Sequence, residues 1–278
     1  MTTAPLRKMN NGLEIDQIGL GMWENKDEEI CNKAIATALE CGYRHFDTAQ
    51  TYCNEEILGE ALQTGYKTIP NLKREDLFIT TKLWNDNQYF KHVWPSFEIS
   101  LENLQTDYVD LFLVHFPVTE LRRPAWTRMQ EILESGKAKS IGVSNYTIKH
   151  LEELLRECDV KPAINQVEIH VYLQQKELRD YCAENDILIE AYSPLAHGNG
   201  LDNEVLVKIA AKHNKTTAQI MIKWCLEMNL VVIPKSSTPS RIIENIDVFD
   251  FKLDPEDLSM IADLERNYRT CWDPTNVS

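Results

Sequence analysis

Nowhere does the sequence approach the roughly 18 continuous apolar residues of a membrane span, and its start, MTTAPLRKMNNGLEID, lacks an apolar core of signal-peptide length. A soluble, cytoplasmic protein with no membrane partner is therefore expected. Positive charge is scarce as well: 29 Lys+Arg stand against 43 Asp+Glu, a net charge of −14. That balance argues against nonspecific nucleic-acid binding, so any bound anion has to be held by cations gathered locally. The seven cysteines (Cys31, Cys41, Cys53, Cys158, Cys182, Cys225, Cys271) are odd in number and scattered, with no C-x-x-C pair. A disulfide framework and a zinc site are both disfavoured, and no metal is expected. Glycine is missing where a dinucleotide loop would need it, because Gly19-Leu-Gly21 lacks the third glycine of G-x-G-x-x-G and runs into a polar stretch. No Pro/Gly/Ser linker or low-complexity tract divides the chain, so one domain spanning 1–278 is the reading.

What is present is a regular alternation. Eight short runs rich in β-branched and apolar residues fall at Ile18–Met22, His45–Ala49, Leu77–Leu83, Val109–Phe116, Ser140–Ser144, Ile164–Ile169, Leu188–Ser193 and Val231–Pro234. Between them the apolar residues recur every three or four positions, as in Ile30, Ala34, Ile35, Ala38 and Leu39, which predicts helices. Near-continuous apolar strands alternating with helices imply parallel pairing with both faces covered. Eight such units over this length favour an α/β fold of the (β/α)8 TIM barrel type over an open sheet. Ahead of the first unit, Lys8–Ile15 carries Asn11-Gly12 between alternating segments and predicts a β-hairpin with a two-residue turn, capping the barrel floor. Thr238-Pro239 and Asp254-Pro255 each read as a capping residue followed by proline at the first position of a late helix.

In a TIM barrel the chemistry collects at the carboxyl ends of the strands. Four ionisable groups interrupt or follow apolar runs there: Asp47 inside the second, Tyr52 five residues on, Lys82 near the end of the third, His115 closing the fourth. A buried ammonium needs a carboxylate, and Asp47 is the natural partner for Lys82. The same ammonium is expected to lower the pKa of a neighbouring phenol, fitting Tyr52 as a general acid, with His115 orienting a substrate carbonyl. Any one of these residues alone also reads as a satisfied structural group, but four converging on one barrel mouth are harder to dismiss.

The segments RHFDTAQTY, TTKLW, LVHFP, SIGVSN and IPKS followed by RIIEN occur in that order, and with them the chain resembles the aldo-keto reductase superfamily from the early hairpin to about residue 265. The resemblance implies a catalytic tetrad of Asp47, Tyr52, Lys82 and His115. In that tetrad the tyrosine gives a proton to the carbonyl oxygen as hydride arrives from NADPH, the lysine and aspartate tune it, and the histidine orients a small-molecule carbonyl substrate. Short loops after His115 and Leu195, and only six residues beyond Trp272, make the chain similar to the compact members, the 2,5-diketo-D-gluconate and methylglyoxal or glyoxal reductases. A monomer with an open pocket is expected.

For the cofactor, the last strand leads into Val-Val-Ile-Pro-Lys-Ser-Ser-Thr-Pro-Ser-Arg, which gathers Lys235, Ser236 and Arg241 where barrels bind phosphate. By resemblance Lys235 and Arg241 grip the 2′-phosphate of NADPH, with Ser236 hydrogen-bonded to it and Glu244 and Asn245 at the adenine. Ser144, Asn145 and Gln166 would meet the carboxamide and Tyr192 would stack on the nicotinamide, with Gly21, Met22, Ser193 and Leu195 completing the cofactor contacts. Trp23, Trp84 and Phe116, each just past a strand, would frame the substrate pocket together with His115. Phe116 stands where tryptophan is frequent in the superfamily, and Met22 where a smaller or polar residue is common; both bear on specificity. Two other readings stay open: a nucleotide-binding or structural barrel without turnover, and a lyase using Lys82 as a Schiff-base amine. The lyase would need a depressed lysine pKa, which Asp47 opposes.

Overall fold

The computed structural model describes residues 4–278; residues 1–3, part of the expected 1–278 domain, lie outside the described residues. Two antiparallel strands, β1 (Leu6–Lys8) and β2 (Glu14–Asp16), come first. They are followed by β3 (Leu20–Gly21), α1 (Glu28–Cys41), β4 (His45–Asp47), α2 (Glu55–Thr68), β5 (Phe78–Leu83), α3 (Phe90–Asn103), β6 (Leu111–Val114) and α4 (Arg122–Glu134). Then come β7 (Ile141–Ser144), α5 (Ile148–Glu157), β8 (Ile164–Glu168), α6 (Lys176–Glu184), β9 (Leu188–Tyr192), α7 (Glu204–His213), α8 (Thr217–Glu227), β10 (Val231–Ile233), α9 (Pro239–Ile246) and α10 (Pro255–Ala262).

Strands β3 to β10 pair in sequence order, all parallel, in one eight-stranded sheet. The bridges Ile18–Val232 and Gly21–Lys235 join its two edges and close the barrel. Closure removes both free edges of this sheet, so no barrel strand is left to template aggregation. At Gly21 the approach is close: a Cβ there would lie 3.0 Å from the Ile233 carbonyl oxygen, which explains a glycine at the seam.

The helices form where apolar spacing allows a buried stripe. In α1 the residues Cys31, Ala34, Ile35, Ala38 and Leu39 face the sheet; Asp27 accepts from the Ile30 amide at the start, and Gly42 ends the helix at φ 110°. Each such leucine or isoleucine contributes about 1.5–3 kcal/mol of burial, and the core runs continuously through the barrel wall. At α10 the capping expectation holds, with Asp254 accepting from the Asp257 amide. At α9 Thr238 is the N-cap but makes no side-chain cap: the Arg241 and Ile242 amides donate to its backbone carbonyl instead.

Two sequence expectations change in detail. Only Leu20–Gly21 and Leu111–Val114 of the Ile18–Met22 and Val109–Phe116 runs are strand, while the flanking Ile18 and Val109 form isolated bridges to Val232 and Ala138. The hairpin turn is longer than two residues: Met9 pairs with Leu13, the Gly12 amide donates to the Met9 carbonyl, and Gly12 alone takes positive φ. The Asn11 side chain is drawn away instead, donating to Ser140 Oγ at 2.8 Å and accepting from the Leu13 amide. That bond fastens the hairpin to the barrel, where Met9 and Ile15 pack with Phe78, Leu111, Leu113, Ile164 and Val231.

Candidate active site

Asp47 ends β4, and the backbone then makes a 3-10 turn, Gln50–Tyr52, closed by Cys53 at φ 55°. This turn swings Tyr52 back over the barrel mouth. Lys82 projects from β5, and its Nζ donates to Asp47 Oδ1 at 2.5 Å, to the Thr48 carbonyl at 2.8 Å and to the Tyr52 hydroxyl at 3.2 Å. The ammonium thus has three oxygen partners although Lys82 is 0% exposed. Burial opposes its charge, but Asp47 and Tyr52 together outweigh this and hold Lys82 above the ordinary lysine range. Burial lifts Asp47 above the usual carboxylate range, against the pull of Lys82 and Gln166.

Tyr52 departs from the expectation. Burial raises its phenol, and the opposing pull of Lys82 does not overcome this, so its pKa lies above the ordinary value. The group is therefore held as a protonated donor rather than poised to ionise. His115, just past β6, faces it with ring centroids 5.5 Å apart at 76°. Burial and then Lys82 push His115 well below its usual value, so it stands as a neutral imidazole, and its Nδ1 has no hydrogen-bond partner.

Asp47, Tyr52, His115, Gly21, Trp23, Ser144, Asn145, Gln166, Tyr192, Ser193 and Lys235 all line one cavity of ≈ 360 Å³ at the carboxyl ends of the strands. Lys82 does not line it but lies behind Asp47 and Tyr52, to both of which its Nζ is bonded. The amide residues are tied to one another: Asn145 Nδ2 donates to the His115 carbonyl and to Ser144 Oγ, and Tyr192 donates to Asn145 Oδ1 at 2.7 Å. A second cavity of ≈ 520 Å³ holds Leu195, Lys235, Ser236, Arg241, Glu244 and Asn245. Trp23, Ser193 and Lys235 line both, so the two join end to end in one groove. Met22 is the exception among the expected contacts. Its side chain is 0% exposed in the core, facing away from the groove, and only its backbone serves locally, accepting from Asn54 Nδ2.

Trp84 and Phe116 do not line the cavity directly but flank it through Trp272, whose ring lies 5.6 Å from Trp84, 6.1 Å from His115 and 6.1 Å from Phe116. The sequence reading missed Trp272 and its neighbours Thr270 and Cys271, all three on the cavity wall. They sit in a coil segment, and nothing in a coil signals which way it runs. A buried anchor sets its path: the Glu168 carboxylate accepts from the Thr270 amide and hydroxyl and from the Cys271 amide. Glu190 and His45, buried below the tetrad, were missed too, although an acidic residue inside an apolar strand is the same signal that singled out Asp47.

The comparisons with known proteins agree with this geometry. The model of the Aldo/keto reductase family matches residues 17–266. Glyoxal reductase of Bacillus subtilis (strain 168) is 44% identical over 270 residues, covering 97% of this chain and 96% of that protein. Methylglyoxal reductase of Escherichia coli (strain K12) is 45% identical over 278 residues, covering 99% and 98%. Among solved structures, an aldo-keto reductase from a Medee basin deep-sea metagenome library superposes with a TM-score of 0.93 at 43% identity, covering 98% and 99%. A Bombyx mori aldo-keto reductase in complex with NADP gives 0.91 at 33% identity, covering 97% and 95%. With its barrel, its joined groove and the quartet of Asp47, Tyr52, Lys82 and His115 at the groove's inner end, the chain belongs to the aldo/keto reductase family.

Proposed function

We propose that this protein reduces small aldehydes and ketones, α-oxoaldehydes foremost, to alcohols with NADPH as reductant, using Tyr52 as the proton donor. The observation that carries this reading is the contact of Tyr52 with Lys82 Nζ at 3.2 Å in a cavity shared with His115. The tyrosine hydroxyl, kept protonated, releases its proton to a carbonyl oxygen, and the adjoining ammonium stabilises the phenolate left behind. His115, as a neutral imidazole, donates a hydrogen bond that holds the same oxygen in place. Trp272, backed by Trp84 and Phe116, makes the wall on the substrate side apolar and excludes water.

The groove fits a dinucleotide. Its outer arm begins at α9, whose N-cap lacks a side-chain partner, and it carries the exposed cations Lys235 and Arg241 beside the buried Ser236, a setting suited to a phosphate. Glu244, fixed by accepting from the Thr216 hydroxyl at 2.7 Å, and Asn245 line the same end, which suits an adenosine. At the inner arm Ser144, Asn145 and Gln166 would take a carboxamide and Tyr192 a flat ring. When bound there, the cofactor supplies the hydride. In this reading the chain acts as one barrel domain and as a monomer.

Turnover is tested by following NADPH absorbance with a panel of α-oxoaldehydes, simple aldehydes, aldoses and ketosteroids, and again with NADH. Fast oxidation with the α-oxoaldehydes is expected; bound NADPH with no oxidation by any member would instead favour a nucleotide-binding barrel. The 2′-phosphate assignment has its own test. A hydrogen bond between charged groups is worth about 1.5–3 kcal/mol, so Arg241→Ala should raise the NADPH KM by about 10- to 100-fold and leave that for NADH nearly unchanged. Equal changes for both cofactors would place Arg241 off the phosphate.

A further inference from the structure

Below the tetrad, the barrel interior holds a second carboxyl with no cation of its own. Glu190 lies mid-strand in β9, paired in register with Gln166 of β8, and both are buried. The Gln166 Nε2 donates to Asp47 Oδ2 at 2.7 Å and to Glu190 Oε2 at 2.7 Å, so both of its protons are used. The other oxygen, Glu190 Oε1, has no well-aligned hydrogen-bond partner and lies 3.3 Å from His45 Nε2.

The groups facing Glu190 are His45 and Asp47 from β4, Lys82 from β5 and Gln166 from β8; its neighbour on β10 is Val231, which brings no charge. One ammonium, already bound to Asp47 at 2.5 Å, therefore serves two fully enclosed carboxyls. A second negative charge here would be held only by an amide, at a large cost in solvation.

We propose that Glu190 is a positioning residue of the reaction. As a neutral acid it holds the Gln166 amide against Asp47 and spares the Lys82–Asp47 pair a second negative charge, and its ionisation slows carbonyl reduction. The inference rests on the reductase reading above.

Burial first, and then Asp47, lift Glu190 to about 8, while burial and Lys82 push His45 down to about 3. The extra proton thus sits on Glu190, and its approach to His45 joins a neutral acid to a neutral imidazole rather than an ion pair. With Glu190 protonated, Gln166 is fixed, its Oε1 is the atom left free to accept, and Asp47 keeps its lysine. Once ionised, Glu190 adds a negative charge that makes Tyr52 harder to deprotonate and a weaker acid toward the carbonyl. The sign follows: the rate is full below about pH 8 and falls as pH rises through that value.

Glu190→Gln has the shape of the protonated acid, its oxygen accepting from Gln166 and its amide facing His45. For the wild type, kcat/KM for an α-oxoaldehyde is expected to be about tenfold lower at pH 9 than at pH 7. The variant should keep near wild-type rates at pH 7 and lose no more than about twofold by pH 9. An undiminished alkaline fall in Glu190→Gln overturns the proposal. Infrared difference spectroscopy supplies a reading independent of turnover. The carbonyl stretch of a protonated carboxyl should be present in the wild type at pH 7, vanish on titration to pH 10 and be missing from the variant. Its absence from the wild type at pH 7 also overturns the proposal. The band present in a protein that reduces no carbonyl would instead defeat the reductase reading and leave the neutral Glu190 supported.

Discussion

Replacing Tyr52 by phenylalanine should abolish carbonyl reduction while leaving the barrel folded and the dinucleotide bound. Deleting this hydroxyl removes one of three oxygens around Lys82 Nζ and leaves Asp47 and the Thr48 carbonyl in place. The ammonium therefore stays paired, and the fold is not asked to bury a bare charge. The ring still packs beside His115. What is lost is the proposed proton donor, and general-acid catalysis contributes about 10²–10⁴-fold to rate. A kcat/KM lower by that factor, with cofactor affinity unchanged in a fluorescence titration, is the expected result. Near-normal turnover of an aldehyde would show that the proton comes from another group, of which His115 is the candidate by position.

A larger effect on the whole molecule is expected from Lys82→Met. Methionine fills much of the space but leaves Asp47 enclosed without its cation, and breaking a buried pair in this way costs about 3–5 kcal/mol. For a chain of this size that corresponds to a melting temperature lower by on the order of 10 °C. The loss should also depend on pH. Without Lys82, burial raises the folded-state pKa of Asp47 further, while the unfolded value stays near 3.9. A raised acid stabilises the fold most at low pH, and that contribution disappears as pH rises through the folded-state value. Urea midpoints should therefore fall more steeply as pH rises above the unfolded-state value of about 3.9 in Lys82→Met than in the wild type. Parallel curves would mean that Asp47 is hydrated or otherwise compensated when the lysine is gone.

The repeating architecture and the tetrad were legible in the sequence because each left a local mark. Short apolar runs at regular spacing gave the eight strands, and ionisable residues at their ends gave Asp47, Tyr52, Lys82 and His115. The direction of the Tyr52 shift was not legible, since it depends on how much water the folded site excludes, and the pairwise argument from Lys82 counted only the attraction. Trp272 was hidden for a different reason. Its position over His115 follows from Glu168, more than a hundred residues earlier, accepting two backbone amides of a coil with no periodicity. Met22 was misplaced because a two-residue strand at the seam leaves little alternation from which to read the facing of side chains. Glu190 could have been read: the run LIEAY interrupts an apolar strand with an acid, as HFD does, and the register shows it beside Gln166.

The hairpin under the barrel has a consequence for how the enzyme recharges. Met9 and Ile15 close the barrel floor with hydrocarbon, among Phe78, Leu111, Leu113, Ile164 and Val231, and hydrocarbon does not pass a proton along. Lys82 and Asp47, sealed at 0% and 2% exposure, are no better connected to bulk water from the side. In the proposed mechanism, the proton that Tyr52 gives up in one cycle is therefore replaced by the path along which the alcohol leaves. Reloading waits on departure, and a product that lingers at the mouth delays the next proton as well as the next substrate.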